Sequence, residues 1–144
     1  MILPALFLLV LIIIPMASAV PPVQTTVVAV DGLEIESPNF GYLQQGTTHI
    51  FRFRVYNASN NAFLNKTEVN CSMGIVDNEG NYIFQQPDVS ATGYKFSVVV
   101  DGGNFSEVGV YHEGINCYHL TSNAGGVLPI AFEITKSGFD ETLF

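Results

Sequence analysis

The sequence predicts an all-β domain, a single antiparallel β-sandwich of seven to eight strands behind an N-terminal hydrophobic leader. Three observations point there. Past the leader no stretch keeps a helical period over three turns. Short alternating runs recur instead, separated by Gly- and Asn-rich turn signals. The two cysteines, Cys71 and Cys117, each lie in such a run on its apolar parity, as expected for thiols buried between sheets.

The leader, residues 1–19, has an uncharged apolar core that ends in Ala17-Ser18-Ala19, the A-x-A pattern of a secretory cleavage site. No Lys or Arg precedes that core. Left uncleaved, Ile2 to Val20 would just span a bilayer, because about 17–25 apolar residues suffice. The expectation is therefore a secreted protein, or one anchored to the outer face of a membrane by a retained leader. Residues 20–135 form the domain and 136–144 a short acidic tail. The formal charge of −8 falls wholly after the leader, with five cations and no basic run. That balance argues against nucleic acid and against anionic membrane surfaces as partners.

In chain order, Val20-Pro21-Pro22-Val23 is an extended lead-in. Thr25–Val30 and Leu33–Glu36 read as two pieces of one edge strand divided by a kink at Asp31-Gly32. Thr48–Tyr56 is the clearest strand: Phe51, Phe53 and Val55 go inward, leaving Ile50, Arg52, Arg54 and Tyr56 outward. Asn57–Asn65 is a polar loop holding Phe63 and Leu64. The Cys71 strand and Tyr82–Gln85 form a hairpin around Asp77-Asn78-Glu79-Gly80-Asn81. Tyr94, Phe96, Val98 and Val100 share an inward face, and Asp101-Gly102-Gly103-Asn104 is a turn that tolerates positive φ. A long strand from Gly109 to Thr121 carries Cys117. The last strand, Val127–Thr135, buries Leu128, Ile130, Phe132 and Ile134, and its outward Pro129 marks a sheet edge.

Two inward cysteines behind an export signal predict a disulfide between the sheets rather than free thiols. Closing a loop of about 46 residues stabilises by about 4 kcal/mol on the chain-entropy model.

Asn104–Tyr111, followed by Cys117 and closed by Phe132-Glu133-Ile134-Thr135, resembles the last two strands of immunoglobulin-like domains. Tyr111 has the place of the corner tyrosine whose hydroxyl ties the strand start to upstream backbone. Two features depart from the antibody type: Tyr111 precedes Cys117 by six residues instead of two, and there is no Trp. The chain is also similar to small exported proteins of unassigned activity, common in environmental microbial and viral sequences. That likeness runs through Val55-Tyr56-Asn57, Cys71 to Ile83, and Asn104 to Thr135. It implies a fold and no chemistry.

No G-x-S-x-G, H-E-x-x-H or Gly-rich phosphate loop is present, so the expectation is a non-enzyme without cofactor or metal. His112 and His119 are seven apart on one strand and point to opposite faces; His49 lies elsewhere. Asp77–Asn81 lacks calcium-loop spacing. Glu113 has inward parity beside Tyr111 and Ile115, where it would be a carboxylate of raised pKa; the favoured alternative is a strand still emerging from its loop or a bulge that turns the side chain out.

Four N-x-[ST] triplets start at Asn57, Asn65, Asn70 and Asn104, glycan acceptors in a eukaryotic-type secretory route. Arg52, Arg54 and Tyr56 form the candidate binding patch, since Arg and Tyr are enriched at interfaces. The functional expectation is a binding or adhesion module that takes a protein or glycan at a cell or particle surface. The alternative is a structural subunit of a filament or virion that self-associates by strand addition through Val20–Val30.

Overall fold

The computed structural model describes residues 23–26, 29–30 and 32–140. The leader, its cleavage position and the last four residues of the tail lie outside them. Alternation becomes strand pairing along most of the described chain. In order the strands are β1 (Val23–Thr26), β2 (Ala29–Val30), β3 (Leu33–Pro38), β4 (Tyr42–Gln44), β5 (His49–Asn57) and β6 (Phe63–Leu64). They continue with β7 (Val69–Val76), β8 (Tyr82–Gln86), β9 (Ala91–Thr92), β10 (Lys95–Val100), β11 (Gly109–His119) and β12 (Gly125–Thr135).

They form two six-stranded sheets. One has the order β1-β3-β5-β10-β9, with β6 beside β5; the other has the order β2-β12-β11-β7-β8, with β4 beside β12. All described pairings are antiparallel except β4 on β12. The sequence reading of seven or eight strands corresponds to the elements of four residues or more. The two- and three-residue pieces β2, β4, β6 and β9 carry too few positions for a period to register.

The inner faces meet in one β-sandwich-like core. Phe51, Phe53 and Val55 of β5 and Ile75, Ile115, Leu128 and Ile134 of the opposite sheet are almost wholly buried. Phe53 and Phe96, opposite one another on β5 and β10, stack with centroids 5.2 Å apart. Phe51 reaches across to Phe132 at 5.7 Å, and Phe132 stacks on Tyr111 at 6.0 Å. This phenylalanine and tyrosine cluster fills the core of a chain that has no Trp.

Several expectations need correction. Thr25–Val30 and Leu33–Glu36 are not one kinked edge strand: the second piece, β3, lies between β1 and β5 and pairs antiparallel with both, while the first is divided between β1 and β2, which pairs with β12 in the other sheet. Tyr94 does not share the inward face of β10. It lies in the turn before that strand and is 51% exposed, because alternation applies only once the strand has begun. Gly102 and Gly103 do not adopt positive φ but open a short 3-10 turn capped by Asp101, whose carboxylate accepts from the Gly103 N–H at 2.8 Å. Gly102 is required for a different reason: a Cβ there would collide with the carbonyl group of Gly46. Pro129 is exposed and opposes Gly114, in the part of β12 left open between its contacts with β2 and β4. The described part of the tail has no regular structure, yet it folds back on Thr135. The Thr135 hydroxyl donates to the Phe139 carbonyl at 3.0 Å and accepts from the Gly138 N–H at 2.9 Å.

Candidate interaction face

The outer face of the first sheet carries the most distinctive chemistry. Alternation along β5 leaves Ile50, Arg52 and Arg54 exposed and Tyr56 half-buried. On one side β3 brings Glu36 opposite Arg54 and Glu34 opposite Tyr56. On the other, β10 brings Ser97 opposite Arg52, and exposed Lys95 follows one residue beyond the Phe96–Phe53 pair. The face thus gathers three of the chain's five cations, Arg52, Arg54 and Lys95.

Sequence reasoning missed its aromatic half. The sequence places Phe63 in a polar loop, but Phe63–Leu64 forms β6, with Leu64 buried and Phe63 opposite Tyr56. The exposed Phe63 ring meets Tyr56 edge-on at 5.8 Å and lies 6.2 Å from the Tyr94 ring. The Arg54 guanidinium carbon stands 5.5 Å from the Phe63 centroid, within cation–π range. The only available signal was the pair of apolar residues inside an Asn-rich loop.

Two shallow grooves run across this face and share Arg54 and Lys95. One, of about 350 Å³, is lined also by Glu36, Pro38 and Arg52. The other, of about 440 Å³, is lined also by Phe63, Thr92 and Tyr94. Among the described residues the ion pair is Lys66 with Asp88, so the three cations of this face are not neutralised by a carboxylate at contact distance.

The remaining predicted site residues lie elsewhere. Cys71 and Cys117 form a disulfide. They are direct register partners on adjacent strands β7 and β11, so the bridge crosses within one sheet and does not join two. Their Cα atoms are 4.1 Å apart, and both residues are buried. Inward parity was legible in each strand separately, but which strands would be neighbours was not. Tyr111 is buried, and its hydroxyl donates to the Glu107 carbonyl at 2.9 Å, tying the start of β11 to the preceding loop. Burial raises the pKa of this phenol, with the nearby Glu107 and Asp77 charges adding to the effect.

The four sequon asparagines divide by what their amides do. Asn57 and Asn65 each accept, on Oδ1, from the backbone N–H and hydroxyl of the Ser or Thr two residues on, at 2.6–2.9 Å. Asn70 donates from Nδ2 to the Tyr118 hydroxyl at 2.9 Å, and Asn104 donates from Nδ2 to the Asp101 carbonyl at 3.1 Å.

His49 contacts the Gln44 carbonyl, His112 is exposed, and His119 accepts from the Thr121 N–H on Nδ1. No group of three or more His, Cys, Asp or Glu among the described residues is arranged to hold a metal. The Asp77 carboxylate is engaged by its own turn, accepting from the Glu79 and Asn81 N–H groups at 2.9 and 2.8 Å. The bond from Asn81 leads in holding its pKa below the ordinary value.

Glu113 follows its inward parity, and neither the emerging strand nor the bulge occurs. Pairing of β11 with both neighbours is unbroken there, with Ile75 on one side and Ile130 on the other. No bulge turns the side chain out, and it is 1% exposed with neither carboxylate oxygen hydrogen-bonded. Desolvation pushes its pKa up to about 8, so the carboxyl is held as the neutral acid at neutral pH.

No protein-family model matches the chain, and no curated protein matches it either.

Proposed function

We propose that this chain is an exported, non-enzymatic binding module with an immunoglobulin-like framework, acting at a cell or particle surface through the outer face of β3, β5 and β10. The observation that carries the reading is the patch itself. On a chain of net charge −8, three cations with no carboxylate at ion-pair distance among the described residues stand beside exposed aromatic rings. Arg and aromatic side chains of this kind dominate binding energy at interfaces, and a local cationic field steers anionic partners even on an acidic molecule.

The framework supports the same reading. The order β12-β11-β7-β8 opposite β3-β5-β10-β9 follows the division of immunoglobulin-type strands between two sheets, and the Tyr111–Glu107 bond is a corner of the kind found there. The disulfide departs from that plan. Export rests on the leader and the paired cysteines. In a eukaryotic-type route the sequons would be glycosylated.

The strand-addition alternative is less well supported. Both described pieces of the N-terminal segment pair within their own chain, so a donated strand would first have to leave β3 and β12. The test is capture of surface material by the exported protein and by an Arg52→Ala/Arg54→Ala variant. Loss of capture in the variant supports this face as the binding surface; unchanged capture removes it.

A further inference from the structure

We propose that the paired grooves around Arg52, Arg54 and Lys95 bind a glycan bearing carboxylate groups. This rests on reading the face as the binding surface and names the ligand class.

Size comes first. The grooves, about 350 and 440 Å³ with Arg54 and Lys95 lining both, each fall in the range of small-ligand sites. A stable protein partner needs about 800 Å² from each side, far more than this handful of residues offers. The site also lies on a sheet face and not an edge, so an extended peptide would gain no backbone ladder there.

Chemistry then narrows the class. Arg52 and Arg54 sit two residues apart on one strand, about 6.7 Å along it, and Lys95 lies on the neighbouring strand about 4.8 Å away. Two or three cations can therefore converge on one carboxylate, with the guanidinium fork suited to its planar pair of oxygens. Phe63 and Tyr94 present exposed rings in the second groove, on the other side of Arg54 and Lys95, where the C–H face of a pyranose can stack on the negative ring face. Glu36 lines the first groove among the cations, and an unpaired carboxylate there accepts hydrogen bonds from sugar hydroxyls. That carboxylate and the net charge of −8 oppose a dense polyanion, so the fit is to spaced acidic groups on an otherwise hydroxylated chain.

The experiment is calorimetric titration of the purified protein with oligogalacturonate, its carboxyl-reduced counterpart and polyglutamate. Oligogalacturonate is expected to bind, and to weaken about tenfold or more when salt is raised to about 0.5 M. Carboxyl reduction or Arg52→Ala/Arg54→Ala abolishes binding. Phe63→Ala/Tyr94→Ser weakens it while preserving the salt dependence, and Lys136→Ala, in the tail, leaves it unchanged. All variants are first checked for unaltered circular dichroism. Equal affinity for the carboxyl-reduced glycan, tighter binding of polyglutamate, or no binding of oligogalacturonate each overturns the ligand class. If Arg52 and Arg54 still govern capture of surface material, the failure lies in the ligand and not in the face.

Discussion

Arg54 stands over Phe63, joining the cationic and aromatic halves of the outer face across the β5–β6 pair. Both groups are exposed, which bounds what the contact contributes to folding. Phe63→Ala is expected to cost about 0.5–1 kcal/mol of stability, the range of an exposed cation–π contact. Leu64→Ala, on the same two-residue strand but buried, should cost about 2–4 kcal/mol. Urea unfolding of the two variants measures both. A larger loss for Phe63→Ala than for Leu64→Ala would mean that the ring supports the scaffold rather than presenting itself to a ligand.

Gly102 makes a second stability prediction. A methyl group there would lie 2.5 Å from the carbonyl carbon of Gly46, on backbone that the β4–β5 turn holds in place. Gly102→Ala should destabilise by about 1–3 kcal/mol or more, as overpacking does. Gly103→Ala meets only the Asp101 carboxylate oxygen, at 3.1 Å, and should cost less. Thermal unfolding of the pair checks the order.

These two cases show what a sequence conveys and what it withholds. Alternation along Thr48–Tyr56 was sufficient to place Phe51, Phe53 and Val55 inside and Arg52 and Arg54 outside, because a half-buried strand writes its period directly. The groove was not legible. Lys95, Phe63 and Tyr94 reach Arg54 from separate segments, and only strand pairing brings them together. Parity placed both cysteines inward but said nothing of strand neighbours, so an intra-sheet bridge was read as one between sheets. For Glu113 parity gives the buried position, and the bulge or emerging strand favoured against it does not occur because β11 pairs without a break on both sides.

The disulfide closes a loop of sequence separation 46 between strands that already pair along β7 and β11. A Cys71→Ala/Cys117→Ala variant should lose about 2–4 kcal/mol, chiefly because its unfolded state is less constrained. The far-ultraviolet circular dichroism of the folded variant should match the parent, since the strand ladder does not depend on the bridge. Loss of that spectrum at low temperature would show that the bridge is needed to form the sheet.

In a host that glycosylates N-x-[ST] sites, Asn57 and Asn65 are the positions the folded chain accommodates best. Their Oδ1 atoms close local turns, whereas the Nδ2 groups of Asn70 and Asn104 are spent on Tyr118 and Asp101. Peptide mapping of the protein made in such a host should find glycan at Asn57 and Asn65 and little at Asn70 or Asn104. Full occupancy of Asn70 in folded material would contradict the Asn70–Tyr118 bond.

Glu113 gives the pH prediction. Its neighbours in register, Ile75 and Ile130, cannot ionise, and Tyr111, two residues away, titrates above the relevant range. The carboxyl's pKa rises from 4.5 to about 8 on folding. Between those values the folded state holds a proton that the unfolded state has released, so stability must fall as pH rises. The contribution is fully present below the unfolded pKa and is lost as the pH climbs through the folded one. At 1.36 kcal/mol per pKa unit the whole effect is about 5 kcal/mol, completed near pH 8. Glu113→Gln keeps the shape and removes the proton. The variant should match the parent near pH 4.5, unfold at higher urea concentration near pH 8, and lack the parent's decline between the two. Equal slopes of stability against pH for parent and variant would mean that Glu113 finds water or a cation when it ionises and is not held in the apolar core.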